Sequence, residues 1–250
     1  MKKLLTLLAA AALLILPSCR FIKVSDDAIE DIKEGFYELN SKIDIGMNSS
    51  NDADQGRNIL RNEATGEFNA LICNVPFDVT YTPGDCAMTM DGPEKQLSHI
   101  VVTNNNGTLV IKTDGTKLGN VRHLKLRLSS PTLEKMLFNG AVDFNANAGI
   151  TAENFEMVIN GAGDIAIDNL KSGQAVLTVN GAGDVEISGL DCETLKIEVN
   201  GAGDATVSGR ARLADLSISG AGDIDATGLE AEKLDTHVKG FGKVSRPKGK

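Results

Sequence analysis

The chain has 250 residues, a formal net charge of −9 and a pI near 4.9, a balance that excludes the basic footprint of a nucleic-acid binder. It has no tryptophan and only two tyrosines, Tyr37 and Tyr81, so flat aromatic platforms for sugar rings are scarce. Glycine, at 26 residues, exceeds its usual share of ~7%, and the excess falls in one repeated pattern.

Lys2 and Lys3 give the chain a short positive start, and Leu4 to Leu16 carry no charge. That stretch is too short for a spanning helix, which needs ~20 apolar residues, but it suits the apolar core of a secretory signal. It ends in Leu16-Pro17-Ser18-Cys19, which resembles the lipobox of bacterial lipoproteins. The resemblance implies cleavage before Cys19, alkylation of its thiol by a diacylglycerol and acylation of the new amino group. A chain carrying two or more acyl groups is stably anchored to a membrane without crossing it. Arg20 stands where Asp would favour the inner membrane in that family, so the outer membrane of a Gram-negative bacterium is expected. Loss of residues 1–18 removes two lysines and no acid, taking the net charge from −9 to −11.

Residues 19–57 read as the lipidated cysteine and a tether. Ile29, Ile32, Phe36, Leu39 and Ile43 are spaced for one helical face, Asp27 and Glu30 have capping-box spacing, and Gly35 weakens the pattern. Asn48 to Gly56 is polar and turn-rich. From residue 58 the pattern changes to strands. Phe77, Val79 and Tyr81 alternate, as do Leu109 with Ile111 and Leu124, Leu126 with Leu128. Asn104-Asn105-Asn106-Gly107 is a hairpin-type turn signal, so the first coils are expected to be less regular. Export permits a Cys73–Cys86 disulfide, which spacing alone leaves open, and Cys192 reads as a lone thiol in a turn.

From residue 139 the chain repeats about every 20 residues. Asn139-Gly140-Ala141-Val142-Asp143 is followed by Asn-Gly-Ala-Gly-Asp beginning at Asn160, Asn180 and Asn200. Ser219-Gly220-Ala221-Gly222-Asp223 and a degraded Lys239-Gly240-Phe241-Gly242-Lys243 complete the series. A fixed period of this length marks a solenoid. Between the turns apolar residues alternate, as in Ile165/Ile167 and Leu195/Ile197/Val199, which means strands with one buried face. The period is too short for helix pairs, and the leucine-rich-repeat spacing is missing. The expected fold is all-β: a single right-handed parallel β-helix over residues 58–250, with coils of two or three short strands.

Stacked coils would set Asn139, Asn160, Asn180 and Asn200 one above another, where amides can bond along the axis. The glycines after them permit positive φ in a tight corner. Ser219 and Lys239 break the column near its end, and Arg246, Lys248 and Lys250 supply a polar terminus.

These repeats resemble the head GIN domain of putative auto-transporter adhesins. Phe68-Asn69-Ala70-Leu71, Val75-Pro76-Phe77-Asp78-Val79 and Asn106-Gly107-Thr108-Leu109-Val110-Ile111 resemble the start of that domain. The resemblance implies one parallel β-helix on an exported protein, with no catalytic residues to carry over.

Asp164, Asp184, Asp204 and Asp223 form an acidic column in this reading. Calcium-binding β-rolls have similar turns, but they repeat every nine residues and supply oxygens from both sides of each ion. Here each coil offers one turn, so the expected role is acceptance of hydrogen bonds from turn amides. Gly161-Ala162-Gly163-Asp164-Ile165-Ala166 formally matches a dinucleotide fingerprint, but strand alternation follows where a helix is required. His99, His123 and His237 lie far apart. Arg210 stands where other coils place Leu170 or Leu190, with Arg212 close behind. No catalytic, cofactor or metal site is expected. The preferred function is a non-catalytic envelope binding module with a glycan or protein ligand. A polysaccharide-active lyase or hydrolase is the first rival, and a calcium-dependent assembly module the second.

Overall fold

The computed structural model describes residues 57–119 and 124–247. The expected signal peptide, Cys19, most of the expected tether with its Ile29–Ile43 pattern, His123, Lys248 and Lys250 lie outside these residues.

Strands β1 (Asn58–Glu63), β2 (Ala70–Cys73), β3 (Phe77–Pro83) and β4 (Ala87–Pro93) come first, followed by a short helix α1 (Glu94–Leu97). Strands β5 (Ile100–Asn105), β6 (Thr108–Thr113) and β7 (Lys125–Ser130) complete the irregular part. The regular coils are built from β8 (Lys135–Ala146), β9 (Ile150–Ala162), β10 (Ile165–Asp168), β11 (Leu170–Ala182) and β12 (Val185–Gly201). They continue through β13 (Ala205–Gly220), β14 (Asp223–Gly240) and β15 (Lys243–Ser245).

All pairing from β8 onward is parallel and nearly in register. The alternation seen in the sequence makes this so, because a slip of one residue would turn every apolar side chain to the outside. Leu177 lies between Met157 and Ile197, and Ile197 faces Leu216 on the next coil; all four are buried. A second inward column runs Phe144, Ile165, Val185, Ala205, Ile224 and Val244. A third set, including Ile150, Leu170, Leu190 and Leu229, is also buried. Each coil therefore turns three faces around one apolar core, at the upper end of the two or three strands expected.

The first coils differ, as the Asn104–Gly107 turn implies. Asn106 and Gly107 both have positive φ, 52° and 85°, the backbone of a tight hairpin, and β5 and β6 pair antiparallel across it. The Asn104 side chain fixes the turn, accepting from the Gly107 N–H at 2.9 Å and donating to the Thr65 and Glu67 carbonyls. β2 and β3 still stack parallel on β8. Beyond them β4 runs antiparallel on β7 and β1 antiparallel on β4. Arg61 ties β1 to α1 and β5, donating to the Leu97 and Ile100 carbonyls.

Candidate functional site

The repeated corner carries a continuous ladder of side-chain hydrogen bonds along the solenoid. The Asn160 amide donates to the Asn139 carbonyl oxygen at 2.9 Å, Asn180 to Asn160 at 2.9 Å, and Asn200 to Asn180 at 3.0 Å. The column extends one residue beyond those named from the repeat: the Asn139 amide donates to Asn74 at 2.6 Å. Asn74 is buried, and its own amide nitrogen has no partner among the described residues. It sits in the irregular coils, where no Asn-Gly motif marks it; only its place after the apolar run Leu71-Ile72-Cys73 aligns it with Asn139.

The glycine after each asparagine answers two demands. At Gly181 φ is +146°, and a Cβ there would lie 1.9 Å from the Gly161 carbonyl oxygen. Positive φ was the demand visible in the sequence. The near contact between stacked coils is the second, and it recurs at Gly161, Gly201 and Gly220.

The aspartates close the corner. The Asp164 N–H donates to the Asp143 carboxylate at 3.3 Å, and Asp204 N–H to Asp184 at 3.1 Å. Asp223 N–H donates to Asp204 and Lys243 N–H to Asp223, each at 2.8 Å. The donor is the amide of the aligned residue one coil further on, rather than one in the carboxylate's own turn. These bonds offset part of the repulsion between like charges one strand apart.

Starting from these same aspartates, the second face of the coils from β3 to the start of β13 forms an open groove of about 700 Å³. Asp78 and Thr80 of β3, Asp143 and Asn145 of β8, Asp164, Asp184, Glu186, Asp204 and Thr206 line it, with no basic residue among the lining. The face is consequently negative and covered by short polar side chains. Among the described residues no group of three His, Cys, Asp or Glu could hold a metal ion.

Several other residues singled out in the sequence lie elsewhere. Arg210 does not occupy the leucine column. It pairs in register with Asp191, while Leu190 faces Gly209 across a register shift between Ile187 and Leu190. Its guanidinium is exposed, 3.8 Å from the Asp191 carboxylate, and Arg212 bonds Glu193 at 2.6 Å. His99 meets Asp114 at 3.0 Å and His237 lies 3.8 Å from Asp215, so neither histidine approaches the groove. The Asp114 carboxyl is held down to about 2 by its hydrogen bond from His99 and further bonds from Thr116.

Cys73 and Cys86 are not bridged. The Cys73 thiol is buried in the core and donates to the Val75 carbonyl, and desolvation pushes it up to about 12. Cys192 is a free thiol but not in a turn. It lies on β12, partly packed against the core, and burial followed by the charges of Asp191 and Glu193 raises it to about 11.

Residues 67–189 and 159–246 match the family described as "putative auto-transporter adhesin, head GIN domain". Three solved structures share the fold. One, a putative adhesin from Bacteroides fragilis, is 21% identical with a TM-score of 0.61, covering 75% of this chain and 96% of its own. A putative adhesin from Parabacteroides merdae is 15% identical with a TM-score of 0.52, covering 81% and 99%. Another from Parabacteroides distasonis is 13% identical with a TM-score of 0.52, covering 76% and 96%. No curated protein matches the sequence.

Proposed function

The chain belongs to the head GIN domain family of putative auto-transporter adhesins, and we propose that it is a non-catalytic binding module of the cell envelope, using the acidic second face of its solenoid as the contact surface. The observation that carries this reading is the groove from Asp78 to Thr206, which crosses successive coils without interruption. A rigid surface of repeated short polar side chains suits many small contacts with an extended partner, as solenoid faces do. Its charge favours a partner with cationic or hydroxyl donor groups, on a protein or a glycan. The adhesin descriptions of its family and structural relatives support the same reading.

In this proposal the domain is held to the outer membrane by lipid on Cys19, for which the Leu16-Pro17-Ser18-Cys19 sequence is the support. Among the described residues no helix is long and apolar enough to cross a membrane. The polysaccharide-active alternative is disfavoured by the even coil length. Aligned corners at Asn139, Asn160, Asn180, Asn200, Ser219 and Lys239 leave no long insertion to wall a substrate cleft.

The test is binding of the protein to arrays of glycans and matrix proteins, with and without calcium. It is repeated with Asp78, Asp164 and Glu186, exposed groove residues whose side chains lie outside the carboxylate-to-amide bonds of the corner, changed to Lys together. Saturable binding lost on recharging supports the proposal. Binding that survives recharging removes this face from the account, and binding that requires calcium favours the assembly reading.

A further inference from the structure

The C-terminal end of the solenoid differs from its interior in one respect. β13 covers one edge of β14 along its length, but on the other edge only Asp223 to Asp225 are paired, with β15. Among the described residues no strand covers the remainder of that edge. The inward positions on it are correspondingly open. Ile218 is 2% exposed, whereas Val238, its partner one coil on, is 48% exposed. Ala231, Leu234 and Val244 are likewise only partly buried. Phe241, 98% exposed, stands at the outward corner position that Ala162, Ala182, Ala202 and Ala221 hold in earlier coils and places a large apolar ring there. Arg246 reaches across to the Thr236 hydroxyl but leaves Val238 and Phe241 uncovered. Unpaired backbone beside exposed apolar side chains is a template for another chain.

The charges on this end are ordered. Glu230 and Glu232 lie towards the start of the open edge, Lys233 and Asp235 pair with each other in its middle, and Lys239 ends it, with Lys243 and Arg246 just beyond. The edge is thus close to neutral in a chain of net charge −9. Two copies meeting end to end about a two-fold axis run their edges antiparallel, which brings the acids of each copy to the bases of the other. The opposite end of the solenoid does not complement this one. There the parallel coil gives way to antiparallel strands β1 and β5 with α1 beside them. Like ends match and unlike ends do not, so the contact closes at two copies.

We propose that this end is an interface with a second copy of the chain, forming a tail-to-tail dimer through the β14 edge, Val238 and Phe241. The dimer would present two acidic grooves from one assembly.

Light scattering on the full-length chain in non-ionic detergent, with the detergent mass subtracted, tests this directly. The expected protein mass is that of two chains, falling towards one as salt is raised. Val238→Asp with Phe241→Asp should halve the mass while circular dichroism stays unchanged. Lys239→Glu alone, an exposed change that leaves the core intact, should weaken the dimer, and adding Glu232→Lys should restore it. A single-chain mass at every concentration overturns the proposal. So does a two-chain mass that neither Lys239→Glu nor the Val238/Phe241 pair alters.

Discussion

The amide of Asn160 bonds the side chain of Asn139 at 2.9 Å although the two are 21 residues apart. Each asparagine thus reports the register of its whole coil. The alternating core sets which side chains face inward, and the amide column fixes which coil position meets which. Together they make a rigid scaffold from strands with no single large hydrophobic residue in common.

Asn180→Ala should break the column one step inside its C-terminal end, leaving the Asn200 amide and the Asn160 carbonyl without their partner. A cost of about 1–3 kcal/mol is expected for stranding such groups. Asn200→Ala, at the exposed end of the column, should cost less. Chemical denaturation of both variants checks the order, and equal small effects would show that the column adds little.

Gly181→Ala should be far more damaging than Gly115→Ala. Both positions have positive φ, but a Cβ at Gly115 meets nothing within 4 Å, while at Gly181 it strikes the coil below. The strain of φ alone is about 1–2 kcal/mol, and backbone displacement should carry Gly181→Ala beyond about 4 kcal/mol. Melting temperatures compare them.

Leu216→Ala empties a fully buried site between Ile197 and Thr236 and should destabilise by about 2–5 kcal/mol. Leu60→Ala, on an exposed position of β1, should change stability by about 0.5 kcal/mol or less. Denaturant midpoints measured on the two variants separate these outcomes.

The Asp114 carboxyl, lowered from 3.8 to about 2, should remain ionised at pH 3. Because its folded value is depressed, its contribution is present above the unfolded value and is lost as pH falls from about 4 through about 2. Carboxyl titration by NMR should show this, and His99→Ala should return the midpoint towards 3.8. An unchanged midpoint in that variant would remove His99 as the cause.

The regular coils were legible because their signals are local: alternation gives strands, and the 20-residue return of Asn-Gly-Ala-Gly-Asp gives stacking. What a single strand does not encode was less accessible. Asn74 joins the column through β2, which follows no repeat, so only its stacking on β8 reveals it. Arg210 misaligned with Leu190 because the register shift between Ile187 and Leu190 displaces the count by one. The Asp residue type and turn position predict acceptance from turn amides, but the donors belong to neighbouring coils, a relation that a one-dimensional pattern lacks. The open edge of β14 follows from the same gap, since alternation marks Val238 as inward without saying that no further strand among the described residues covers it.

The most direct test of the account is equilibrium binding of the protein to the arrayed protein or glycan that gives the strongest signal, compared with the variant carrying Lys at 78, 164 and 186. The account predicts saturable binding by the parent and its loss in the folded variant, with no dependence on calcium. Equal binding by both proteins would contradict it.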